Sequence, residues 1–152
     1  MVARKGLLLV GAALVAGAGL LWQLWARSPQ EVATMQVSLA IYSGRPDPSW
    51  LLSPTDGEWL RQRLANPIPF TGERTIAGLG YGGFMISDLS TAPQEQQIVR
   101  VYRGQIETIT GSQVTVTADP DRQLERRLFA TADRTVLNSD LYNIVTAALT
   151  DR

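Results

Sequence analysis

The hydrophobic pattern opens with one long run. Gly6 to Ala26 reads GLLLVGAALVAGAGLLWQLWA, uncharged and with a single polar side chain, Gln23. As a helix it would extend about 31 Å, close to one hydrocarbon core. Arg4 and Lys5 precede it and only Arg27 follows closely, so the positive-inside bias places the N-terminus in the cytoplasm. Trp22 and Trp25 fall where an outer aromatic belt belongs. The pattern predicts a signal-anchor, transmembrane helix over 1–27, a linker over 28–33 and an extracytoplasmic domain over 34–152. Cleavage as a signal peptide is the rival reading. Ala16-Gly17-Ala18 has the small residues it needs but would leave LLWQLW on the mature chain, and Leu24-Trp25-Ala26 carries a large residue at −3. Ala12 and Ala16, and Ala13 and Gly17, are small pairs four apart, a spacing that lets helices approach closely in lipid. Gly and Ala are also simply common in export helices.

Beyond the linker the periodicity changes. Met35, Val37, Leu39 and Ile41 alternate with Gln36, Ser38 and Ala40, the period of a half-buried strand. The strand runs into Ser43-Gly44-Arg45-Pro46-Asp47-Pro48, read as a rigid loop. Ser53-Pro54 starts a helix, Trp59, Leu60 and Leu64 give it a buried stripe, and Asn66-Pro67 stops it. Residues 67–77 read as loop and Leu79–Ser87 as a glycine-loaded strand. Ile98–Ile109 reads as one apolar strand with a bulge at Gly104, turning through Gly111-Ser112 into Val114–Thr117. A helix beginning at Asp119-Pro120 buries Leu124 and Leu128. A last helix carries Leu141, Ile144, Val145, Ala148 and Leu149 on one stripe. The predicted class is α+β: an N-terminal transmembrane helix, then a small antiparallel or mixed sheet of three or four strands with about three helices on one face.

Charge and composition narrow the chemistry. The whole chain has net charge zero, but from Ser28 onward eleven arginines stand against fourteen acids, a net of −3. That balance lacks the clustered basic face nucleic acid requires. Cysteine and histidine are absent and the only lysine is Lys5. Ser-His, Cys-His and Ser-Lys nucleophiles are therefore excluded from the domain, as are thiolate- or imidazole-ligated metals. No catalytic residue, cofactor or metal is expected. Carboxylates are the remaining acid–base groups, and none of the fourteen acids is marked as a pair.

Three segments invite a functional reading. In Ser43–Trp50, SGRPDPSW, a stiff loop could present Arg45, Asp47 and Trp50 as a recognition edge; equally, Trp50 could plug the core with Arg45 and Asp47 satisfied internally. Gly78-Leu79-Gly80-Tyr81-Gly82-Gly83 formally matches GxGxxG, but Phe84-Met85-Ile86 after it reads as strand rather than the helix a dinucleotide needs. Its glycines better suit close backbone approach, with Tyr81 and Phe84 packing around them. Between Asp119 and Arg134 the charges read as a solvated helix face, with Arg122 and Glu125 a modest pair and Asp119 a cap. Arg122, Arg126 and Arg127 could instead face an acidic partner.

SGRPDPSW after an alternating strand, followed by LGYGGF, resembles a family of small bacterial proteins of unassigned function, which carry a similar loop with Asp or Asn between the prolines and an LGYxGF segment. The resemblance covers Ser43–Trp50 and Leu79–Phe84, implies that loop and glycine strand belong to one fold, and supplies no activity. At the position of Gly82 the family often has a larger polar or basic residue.

Together these readings predict a non-catalytic binding or assembly module in the bacterial inner membrane, single-pass, touching lipid through residues 6–26. An envelope protein is the expected partner, met through Arg45, Asp47, Trp50, Tyr81 and Phe84. The alternatives are a carboxylate-dependent envelope hydrolase, and an accessory subunit of a membrane complex packing through Ala12, Ala13, Ala16 and Gly17.

Overall fold

The computed structural model describes residues 34–42, 44, 46–92 and 96–151. The predicted membrane helix, its small-residue face, the linker and Arg45 lie outside these residues. Among the described residues no helix is long and apolar enough to cross a membrane.

Six strands form one antiparallel sheet: β1 (Met35–Leu39), β2 (Ser49–Leu51), β3 (Phe84–Asp88), β4 (Ile98–Tyr102), β5 (Gln105–Thr110) and β6 (Gln113–Ala118), in the order β2-β1-β3-β4-β5-β6. The expected fold, with three or four strands and a transmembrane helix, is thus corrected: the described residues form a six-stranded antiparallel sheet with three helices, none apolar enough to span a membrane. Two local features account for the extra strands. First, the loop after β1 turns back and pairs: Leu39 N–H donates to the Pro48 carbonyl at 2.9 Å, and Trp50 stands opposite Val37. Second, the apolar run 98–109 is two strands. Arg103 and Gly104 both adopt left-handed backbone, φ 46° and 78°, which is a type I′ turn rather than a bulge. Asn, Asp or Gly usually marks the first position of that turn, and arginine there hides it. By contrast, Gly111, φ 59°, leads a two-residue turn of the type that wants glycine first.

Helix α1 spans Pro54–Ala65, α2 Gln123–Ala130 and α3 Ser139–Thr150. Each start has a local cause. Ser53 Oγ accepts from Asp56 N–H at 3.1 Å, with Pro54 at the first helical position. Asn138 Oδ1 accepts from Leu141 N–H at 3.0 Å. Asp119, 1% exposed, takes the amides of Leu124 and Glu125 on its two oxygens. Burial pushes the Asp119 carboxyl up, and the two amides only partly offset that.

One sheet face carries Val37, Leu39, Phe84, Ile86, Val99, Val101 and Ile106, all buried. Leu60 of α1, Leu124 and Leu128 of α2, and Leu141, Val145 and Leu149 of α3 complete that core. Ile144 leaves the predicted stripe and is 47% exposed. The other face is crossed by residues 67–83, here called the strap. At β6, Ala118 N–H donates to the Ile68 carbonyl at 2.8 Å and Pro69 bridges Thr117. Midway, Arg74 Nε meets Glu107 Oε1 at 2.6 Å and Thr75 N–H donates to Gln105 Oε1 at 3.1 Å. The strap returns at β1.

Candidate contact site

The strap's return depends on two glycines. Gly82 N–H donates to the Ala40 carbonyl at 2.7 Å, and Ala40 N–H to the Gly83 carbonyl at 2.9 Å, so two residues face one as in a β-bulge. Gly83 has φ 87°, and a Cβ there would collide with the Val101 carbonyl. A Cβ on Gly82 would lie 3.2 Å from the Ala40 carbonyl oxygen. Residues 78–83 lead straight into β3, with no helix to receive a phosphate.

The residues singled out in the sequence lie as follows. Asp47 Oδ1 accepts the amides of Ile41 at 3.1 Å and Tyr42 at 2.9 Å, holding the turn after β1. Trp50 is 8% exposed; its indole Nε1–H donates to Thr131 Oγ1 at 3.0 Å. Phe84 is fully buried, with Trp50 edge-on at 6.1 Å and Tyr81 edge-on at 6.2 Å. The fold therefore gathers Trp50, Tyr81 and Phe84 into one aromatic cluster, turned into the domain rather than out of it.

Tyr81 ends in a polar knot that the sequence does not announce. Its hydroxyl donates to Glu125 Oε1 at 2.5 Å, while Arg122 donates to both Glu125 oxygens, at 2.7 and 3.1 Å. Glu125 is 0% exposed, which corrects the reading of this segment as a solvated face. Burial and the Glu125 charge push the Tyr81 phenol well above its ordinary range. Arg122 sits in left-handed backbone, φ 55°, and also donates to the carbonyls of Ala148 at 2.6 Å and Asp151 at 3.1 Å, closing the end of α3. Arg126 donates to the Leu149 carbonyl at 3.2 Å, and Arg127 stacks 3.9 Å over Trp59 and pairs with Asp56. All three arginines thus serve α1 or α3.

What the fold does expose is the strap beyond Thr75. Ile76 is 78% and Leu79 98% exposed, on a segment pinned by Arg74 and Thr75 on one side and by the Gly82–Ala40 pairing on the other. Beside it lies a cavity of about 380 Å³ lined by Ala40, Ile41, Tyr42, Gly78, Leu79 and Arg100. Arg100 is its charged group. It stands 3.5 Å from Glu107 Oε2, within ion-pair distance but without the geometry of a hydrogen bond, so that buried oxygen has no hydrogen-bond donor. The sequence marks neither Ile76 nor Arg100, and Leu79, expected to open a strand over Leu79–Ser87, lies instead in the strap, the strand beginning only at Phe84.

Among the described residues no group of three acids gathers as a metal-binding set. The buried acids are engaged structurally: Asp119 caps α2, Glu125 holds Tyr81 and Arg122, and Glu107 holds Arg74. Comparison with family models, curated proteins and solved structures finds no match to this chain.

Proposed function

We propose that the protein is a non-catalytic binding or assembly module of the bacterial envelope, kept at the membrane by its apolar leading segment. In this reading the strap segment Ile76–Gly80 and the adjoining cavity meet an envelope protein. The observation that carries it is Leu79, almost wholly exposed on a segment anchored at both ends. A lone exposed leucine would be unremarkable, but Ile76 is exposed with it on the same pinned segment, and exposed apolar groups held together mark a contact surface. Arg100 in the cavity wall favours a partner that offers a carboxylate next to an apolar group. Engagement in the fold of the three acids buried among the described residues supports a non-catalytic role.

The test is a photo-crosslinker at Leu79, with one at Asn143 on the exposed side of α3 as control, in cells carrying the full chain. A single protein captured from Leu79, and lost when Ile76→Asp is added, supports the reading. Equal capture from both positions, or none from Leu79, overturns it. Ile76→Asp should leave the melting temperature unchanged, because the side chain makes no buried contact.

A further inference from the structure

At the opposite end of the sheet a second apolar feature lies where the chain joins its leading segment. The strand register aligns Leu51, Gln36, Ser87, Ile98, Ile109 and Val114 in one row across all six strands, on the face away from the helices. None of the six is charged. Leu51 is 53%, Ile98 38% and Val114 43% exposed, and at the same end Leu89 is 54% exposed with its N–H on the Thr34 carbonyl at 2.8 Å. Thus four exposed aliphatic residues are spread along the end of the sheet at which residue 34 lies. Five strand spacings make the row about 24 Å wide.

We propose that this row rests on the lipid bilayer, at the boundary between headgroups and acyl chains. The inference rests on the membrane placement proposed above. Six linker residues, 28–33, extend at most about 20 Å, so the strand ends near Thr34 are held close to the lipid. A face in contact with anionic headgroups would carry arginines; this one offers aliphatic groups interspersed with Gln36 and Ser87, which suit a neutral interface. The Ala77–Gly80 segment lies beyond the far end of β1, beside Ala40–Tyr42, and in this arrangement is left for a partner.

Because the natural chain has no cysteine, single cysteines can be labelled cleanly. The experiment places an environment-sensitive fluorophore at Ile98→Cys, Val114→Cys and Leu89→Cys of the full chain in neutral phosphatidylcholine vesicles, with Leu79→Cys as the far-end control. The expected result is a severalfold protection of positions 89, 98 and 114 from a water-soluble quencher, insensitive to salt, with position 79 unprotected. Leu89 lies in a turn, so its label reports even if a labelled strand position unfolds the sheet. If the chain incorporates into vesicles but the three labels quench as readily as position 79, the inference fails while the membrane placement stands. If the chain does not incorporate, both fall. If the protection disappears when the chain is diluted to a single copy per vesicle, another copy rather than lipid covers the row, and this too overturns the inference.

Discussion

Glu125 and Glu107 are two glutamates buried to almost the same degree, on opposite sides of the domain, and they are held very differently. Glu125 is saturated: Tyr81 and Arg122 supply three hydrogen bonds, and Arg122 is itself only 15% exposed at its side chain. Glu107 is half satisfied: Arg74 holds one oxygen, while the other has Arg100 at 3.5 Å and no hydrogen bond, and both arginines reach solvent. A buried carboxylate with both oxygens hydrogen-bonded is a joint between elements, here the end of the strap, α2 and α3. A buried charge with a spare oxygen, flanked by arginines that can swing out, marks a face that tolerates change. The strap crosses that second face.

The sharpest way to break this contrast is Glu125→Ala. It takes the carboxylate from a part-buried guanidinium and a part-buried phenol, and should cost about 3 kcal/mol in urea denaturation; a loss under about 1 kcal/mol would mean that the knot is not a joint. Tyr81→Phe removes one donor and should cost about 1–2 kcal/mol at neutral pH. It also changes the alkaline response. Tyr81 has its pKa raised above the usual 10.0, so the unfolded chain loses this proton first. Its contribution is complete below pH 10.0 and falls as pH rises beyond it. Thermal melts above pH 10.0 should therefore decline less steeply in Tyr81→Phe than in the natural chain.

On the other face, Glu107→Gln should change stability by no more than about 1 kcal/mol, because both arginines can solvate. A loss matching that of Glu125→Ala would erase the distinction between the two sites. Smallest of all, Arg74→Ala should lower the melting temperature only slightly, and by less in high salt, where a half-exposed pair is screened. Melting at two ionic strengths measures it.

Legibility in the sequence followed the range of the interaction. Ser53-Pro54, Asn66-Pro67 and Asp119 act within a few residues, and the helices begin and end beside them. Alternation over Met35–Ile41 depends only on having one buried face. Strand number did not yield, because β2 exists through pairing with β1 and because Arg103 occupies a turn position that its side chain does not advertise. The aromatic cluster was half readable. Tyr81 and Phe84 are near neighbours in sequence, whereas the Trp50–Thr131 and Tyr81–Glu125 bonds join residues 81 and 44 positions apart. Glu125 resembled a surface acid because its three-residue spacing from Arg122 is also that of an ordinary helical pair. Nothing in Gly72–Gly80 shows period two or 3.6, so the exposed tip had no pattern to betray it.

The strap also orders events during folding. It precedes β3 to β6 in the chain yet fastens to β6, with Pro69 meeting Thr117 across nearly fifty residues. The meander must be in place before that clasp can close, and long-range closure is slow relative to local hairpins. Pulse-labelling hydrogen exchange during refolding should protect the β4–β5 amides before that of Ala118, whose N–H belongs to the strap. A late-closing clasp is also the first to reopen, so the outer edge of β6 becomes a transient template for pairing with another chain well before the core unfolds.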